Sequence, residues 1–297
     1  ARLILTMILI DYSQVAIANL VIALKQEGNL PTPELARYMI LNSIRGYVHQ
    51  HKEEYGPEVV IAVDGPKPWR RDIFPAYKAK RRERRDDVDH STTDLIYEYM
   101  DIIRKELEEN FPYKVIKLDG VEADDIIAVC IKKSVKKWFT TKYLIISSDK
   151  DFQQLQKYPN VTQYSPVLKK FYETDSPQEY IYEHILRGDA GDGIPNFLSP
   201  DDTFINGIKS KPIMKKKLTG WIDTLMRGED AKEFCNEYHY RNFQRNQRLI
   251  DFDFIPEEIQ DDIYKLYEEY EPKGKNAILP YLIKNDLQSL IGKIEEF

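Results

Sequence analysis

Four short apolar runs, each leading into carboxylates, constrain this chain more than any other feature. They are LILTMILI (3–10), EVVIAV (58–63), KVIKL (114–118) and YLIIS (143–147), with the β-branched content and length of buried strands. Helical periodicity fills intervals between them, at 33–54, 92–109 and 124–138. Strand alternating with helix predicts an α/β fold around a mostly parallel sheet. Ligands of such sheets bind beyond the carboxyl ends of the strands. Three runs end there on aspartates: Asp11, Asp64, and Asp149 with Asp151. The fourth leads through DGVEADD to Glu122, Asp124 and Asp125. Acids far apart in sequence are thus predicted to meet in one basin.

The dipole of a helix N-terminus accounts for acids in a first turn, but not for acids at every strand end. Like charges a few ångströms apart disfavour joint ionisation, so the basin requires shared protons or cations. Hard, all-oxygen donors select Mg²⁺ or Mn²⁺ over zinc. Two such ions about 4 Å apart suit in-line displacement at phosphorus. A further acidic motif, RGDAGDGIPN (187–196), carries Asp189 and Asp192 on a glycine-rich turn. Read alone, it is better explained as a helix C-cap at Gly188 followed by a flexible loop.

The 297 residues suffice for one large domain or two moderate ones. Helical periodicity without strand runs after about residue 180 predicts an α/β part over 1–180 and a helical part over 181–297. A net charge of −6 argues against a polyanionic partner, but its distribution does not. KPWRRDIFPAYKAKRRERR (67–85) holds nine Lys/Arg against two acids, and KSKPIMKKK (209–217) adds a second basic block. Local field governs contact with a polyanion. Cys130 and Cys235 lack C-x-x-C spacing, which argues against a zinc or disulfide scaffold and suits a reducing cytoplasm. Asp11 and Gln14 interrupt the apolar N-terminus, so it reads as a strand and not a secretory signal, and no run reaches membrane-span length. GxGxxG, Walker and GxSxG motifs are absent.

LIDYSQ, VDGPKPWRRDIFPAYKAKR, VEADDIIA, ISSDKDFQQL and GDAGDGIPN, in this order, resemble the 5′-nuclease (flap endonuclease) family nearly end to end. The resemblance implies a PIN-like nuclease domain plus a smaller helical domain with a helix-hairpin-helix-like DNA-binding motif. It implies two Mg²⁺ ions, with Mn²⁺ as substitute. Asp11, Asp64, Asp124 and Asp149 would serve the first, Asp151 and Asp192 the second, and Glu122 would lie between. Asp125 and Asp189 are adjacent acids. Lys78, Arg81 and Arg70 match cations beside the scissile phosphate. Lys80 and the rest of the basic stretch (about 67–93) would form an arch over the unpaired 5′ end, where Tyr77 could stack on a base. FINGIKSKP (204–212) partly matches the duplex-gripping motif, with Lys209, Lys211 and Lys215 on phosphates and a monovalent cation on carbonyls. A plain lysine-rich turn is its alternative.

The resemblance further implies 5′→3′ exonuclease, flap endonuclease and ribonuclease H activity on RNA–DNA hybrid, 5′-flap and nicked duplex. That activity would remove primers and adjacent DNA during phage lagging-strand synthesis in the host cytoplasm. The implied protein is a monomer working with a single-stranded DNA-binding protein and a sliding clamp, and QSLIGKIEEF at the C-terminus is a candidate clamp peptide. Two rivals are a PIN-type endoribonuclease and a non-catalytic DNA-binding protein. His49 and His51, two apart on a helix, read as surface residues and not as ligands.

Overall fold

The computed structural model describes residues 6–81, 90–137 and 141–297. Its centre is a six-stranded sheet in the order β3-β2-β1-β4-β5-β6. The strands are β1 (Thr6–Asp11), β2 (Glu58–Val63), β3 (Lys114–Lys117), β4 (Lys142–Ile146), β5 (Val161–Ser165) and β6 (Lys170–Tyr172). All pairings are parallel except β5 with β6. The first four match the predicted runs. The last two lie where no strand was expected, because VTQYS and KFY are short and largely polar.

Side chains alternate faces along each strand, and both faces of the central strands are apolar. Ile8, Ile10, Ile61 and Leu144 enter one core, and Met7, Leu9, Val60 and Ile145 the other. Each such fully buried side chain contributes about 1.5–3 kcal/mol. The first core is covered by helices Tyr12–Glu27, Pro33–Tyr55 and His90–Asn110, and the second by Ala123–Lys137. The helix Tyr12–Glu27 was not predicted: YSQVAIANLVIAL has little polar face, so its period is weak.

Residues 181–297 do not pack as one helical body. Residues from Ile181 to Ile250 form a third core, which takes in Phe74, Ala76 and Tyr77 from the basic stretch. The chain then returns to the sheet: Phe252, Ile255 and Ile263 join one face, and Ile278, Leu282, Leu290 and Phe297 join the other. Leu290 and Phe297, which lie within the candidate clamp peptide, are therefore covered by this chain's own core. FINGIKSKP forms turns and irregular chain between helices Pro177–Arg187 and Lys215–Met226, which pack on each other. His51 also departs from expectation: it is buried, ringed by Tyr55, Tyr164 and Phe171 at 5.4–6.4 Å.

The chain runs outward from β1 to β2 and β3, then restarts at β4 on the other side of β1. Loops leaving β1 and β4 consequently diverge, opening a crevice at their carboxyl ends. No helix among the described residues is long and apolar enough to cross a membrane.

Candidate active site

Asp11 ends β1 and caps the helix beginning at Tyr12, accepting a hydrogen bond from the Gln14 N–H. Its other oxygen accepts from Ser147 Oγ at 3.0 Å, which ties the end of β1 to the end of β4. Asp64, just after β2, accepts from the Ala123 N–H at 2.9 Å and from Ser13 Oγ at 2.6 Å. These bonds join the β2 loop to two helix N-termini. The loop can approach so closely because residue 65 is glycine: a Cβ there would stand 1.7 Å from the Leu118 carbonyl oxygen. Asp149 caps the 3₁₀ segment Lys150–Lys157 by accepting from the Asp151 N–H at 2.9 Å. Asp124 lies in the first turn of Ala123–Lys137.

Asp11, Asp64, Glu122, Asp124 and Asp149 line one cleft of about 980 Å³, together with Lys78 and Arg81. Asp124, Asp151, Asp189 and Asp192 line a small adjoining recess with Arg70 and Tyr77. Burial, then Asp64, pushes the Asp11 carboxyl up to about 7. Burial, then Asp149, holds Asp124 well above the usual carboxylate range. Burial likewise raises Asp151 to about 7, although His184 opposes it. Glu122 goes the other way: burial opposes its charge, but Lys78 and Arg70 outweigh it and lower the pKa.

The cations divide into two groups. Lys78 Nζ donates to Glu122 and lies 3.5 Å from Asp192, and Arg81 Nη2 lies 2.6 Å from Asp192. The Lys78 N–H also donates to the Asp192 carbonyl at 2.7 Å, so the basic stretch and the glycine turn are fixed together. Lys78 and Arg81 thus border the acids and the open cleft at once.

Arg70 does not. Only 3% exposed, it spends its guanidinium on Glu122 at 2.9 Å, on Asp125 at 2.7 and 2.9 Å, and on the Leu249 carbonyl at 2.8 Å. The expected contact with a scissile phosphate is therefore replaced by an internal ion pair. Tyr77 is also corrected: it is buried, with its hydroxyl 3.0 Å from Glu122 and 3.2 Å from Asp192, so its ring is not presented to a base. Lys80 is exposed, its Nζ 5.6 Å from the Phe204 ring centroid, while arch residues 82–89 lie outside the described residues. Lys209, Lys211 and Lys215 are exposed around the turn before Lys215–Met226, away from the cleft lining.

Several contributors escaped the sequence reading. Ser13 and Ser147 orient Asp64 and Asp11. Asn246, fully buried, donates to the Ile185 and Pro195 carbonyls at 2.8 and 2.9 Å and so braces both ends of the turn carrying Asp189 and Asp192. His184 stands between Asp151 and Asp189. A serine beside an aspartate was the only local signal for the first two, and none marked the others.

A mostly parallel sheet with an acid-lined crevice at its switch point, bordered by cations, suits hydrolysis of phosphodiester bonds, and by its relatives the chain is a nuclease. Residues 6–184 match the 5′-3′ exonuclease N-terminal resolvase-like domain, and residues 175–297 match the T4 RNase H C-terminal domain. The chain belongs to the 5′-3′ exonuclease family. It is 35% identical to Ribonuclease H of Enterobacteria phage T4 over 300 residues, covering 97% of this chain and 95% of that protein. It is 29% identical to an exonuclease of Escherichia phage T7 over 121 residues, covering 40% of this chain and 37% of the relative. Among solved structures, a bacteriophage T5 protein co-crystallised with metal ions superposes with a TM-score of 0.64 at 16% identity, over 88% of this chain and 98% of its own. The T5 flap endonuclease in a complex with DNA and metal ions gives 0.59 at 17% identity, over 89% and 99%. At these identities the likeness is one of fold.

Proposed function

We propose that this protein is a divalent-metal-dependent 5′→3′ nuclease that removes RNA primers and adjacent DNA from lagging-strand fragments in phage DNA replication. Its substrates are RNA–DNA hybrid, 5′-flap and nicked duplex. It works as a monomer in the host cytoplasm, with a single-stranded DNA-binding protein and a sliding clamp. The observation that carries this reading is one cleft in which acids from β1, β2, β4 and the helix Ala123–Lys137 face Lys78 and Arg81. The end-to-end likeness to a phage ribonuclease H supports the substrate class.

The donor chemistry fits hard cations. Asp11, Asp64, Asp124 and Asp149 offer only carboxylate oxygens, and burial first, then the neighbouring carboxylates Asp64 and Asp149, raises the pKa of Asp11 and Asp124, a cost that a bound cation would offset. Asp151 and Asp192 would serve a second ion, with Glu122 between the two. When bound, Mg²⁺ or Mn²⁺ would make water a competent nucleophile at neutral pH and offset charge on the phosphoryl and leaving 3′ oxygens. The protein's own groups supply the rest. Glu122 and Asp192 hold the Lys78 ammonium at the cleft. From there it can donate to a phosphoryl oxygen as charge builds during attack. Ser13 and Ser147 fix the acids, so that little reorganisation accompanies the reaction.

Two outcomes follow from this arrangement. Lys78→Ala is expected to slow the chemical step about 10²–10³-fold, with substrate affinity changed only a few-fold. Single-turnover cleavage beside equilibrium anisotropy separates the two, and a loss confined to affinity would refute the role. Mg²⁺ or Mn²⁺ at about a hundredfold excess over Kd should stabilise chelator-treated protein by about 2.7 kcal/mol. Thermal denaturation reads this as a higher Tm, and an unchanged Tm would argue against occupied carboxylates. The function itself is tested by a Mg²⁺ titration on end-labelled nicked duplex, 5′-flap and RNA-primed template. Cleavage of RNA without action on DNA ends would favour an endoribonuclease, and binding without cleavage a non-catalytic DNA-binding protein.

A further inference from the structure

We propose that Gln163 is a positioning residue for the ion site that Asp149 serves: its buried amide replaces a missing backbone donor at the end of β5 and fixes the loop carrying Asp149. The inference rests on the metal-dependent reading above and names a residue, outside the acids and cations of the cleft, through which that site is shaped.

β4 and β5 pair in parallel, with Ile145 opposite Gln163 and Ile146 opposite Tyr164. The pairing runs one step beyond β4, where the Ser147 N–H donates to the Tyr164 carbonyl at 3.2 Å. A parallel ladder would next bring the N–H of residue 166 to the Ser147 carbonyl. Residue 166 is proline and has no N–H to give. Ser147 is fully buried, so its carbonyl needs another donor. Gln163 provides it. Its Nε2 donates to the Ser147 carbonyl at 2.9 Å and, two residues on, to the Asp149 carbonyl at 2.6 Å. Two facing acceptors fix the amide's orientation, because only its nitrogen can donate.

What this amide holds is the acid site itself. Ser147 Oγ donates to Asp11 at 3.0 Å and accepts from the Asp149 N–H at 3.1 Å. Asp149 in turn accepts from the Asp151 N–H at 2.9 Å. One side chain from β5 thereby sets the place of a loop that carries Asp149 and Asp151 and steadies Asp11. Gln163 is 0% exposed, and its Oε1 is buried with no hydrogen-bond partner. A buried acceptor left unpartnered costs stability, so the residue serves the loop's geometry more than the core's cohesion. The polar centre of VTQYS, which hid this strand from the sequence, is the donor that the loop requires. Groups that orient metal ligands from behind are typically worth about 10–100-fold in metal affinity.

The test uses full-length Gln163→Met, which keeps much of the volume and removes both amide hydrogens. In chelator-treated protein, amide exchange at Asp149 and Asp151 is expected to quicken at least about tenfold. Calorimetric titration should show Mn²⁺ binding weakened about 10–100-fold. Cleavage should recover most of its rate when Mg²⁺ is raised by the same factor, while substrate affinity without divalent ions changes only a few-fold. Gln163→Asn, whose amide is one methylene short, should fall between, and it takes the same measurements if Gln163→Met does not fold. Unaltered exchange, or unaltered Mn²⁺ affinity in a folded variant, would overturn the positioning role and leave the metal-dependent reading intact. Absence of Mn²⁺ binding by the unsubstituted protein would remove that reading instead, and the exchange measurement would still decide whether Gln163 holds the loop.

Discussion

Asp124→Asn is expected to lower the rate of cleavage at least about a thousandfold while substrate still binds. The substitution keeps shape and removes one negative charge where Asp149 and Asp11 already crowd the carboxyl. Relief of that repulsion should leave the metal-free fold as stable as before, or more so. Catalysis suffers because one of the oxygens expected to position an ion is replaced by a weakly donating amide. Asp125→Asn, one residue further on, should behave in the opposite manner. Its carboxylate faces Arg70 and the Trp69 indole N–H at 2.9 Å, so damage there falls on stability. Single-turnover assays on a 5′-flap substrate, with anisotropy for binding and urea melts for folding, resolve both. Turnover retained by Asp124→Asn would remove the ion-binding role from the centre of the cluster.

That contrast between neighbours marks where the sequence stops being legible. The strand runs could be read because their apolar period is strong on both faces, and an acid at each end needs only parallel topology to reach a common crevice. Only the resemblance separated Asp124 from Asp125, because their directions depend on the helix starting at Ala123: one faces the cleft, the other the buried Trp69–Arg70 layer. Arg70 and Tyr77 sit in a stretch whose charge suggests solvent. Phe74, Ala76 and Tyr77 nevertheless anchor it in the third core. Asn246 and His184 had no local signature, since their partners come from the turn at 185–196 and from Asp151. Side chains whose meaning is supplied by distant carbonyls or carboxylates emerge only once the chain is folded.

Arg70→Met is expected to destabilise the protein by about 3–5 kcal/mol, an effect on folding that precedes any effect on chemistry. Arg70 is 3% exposed, and its guanidinium is ion-paired with both Glu122 and Asp125. Burial by itself opposes its charge, but Asp125, Tyr77 and Glu122 more than compensate and raise its pKa above the ordinary value. Methionine fills much of the volume but leaves Asp125 buried and uncompensated, with the Leu249 carbonyl unpaired. Arg70→Lys should rescue only in part, because one ammonium cannot reproduce the fork that reaches two carboxylates and a carbonyl. Replacing Asp125 with leucine as well removes the stranded charge, so the double variant should regain part of the lost stability. Urea unfolding of the unsubstituted protein, Arg70→Met, Asp125→Leu and the double variant measures this cycle. A fully stable Arg70→Met protein with slowed cleavage would instead return Arg70 to the phosphate, and would mean that the buried pair does not form in solution.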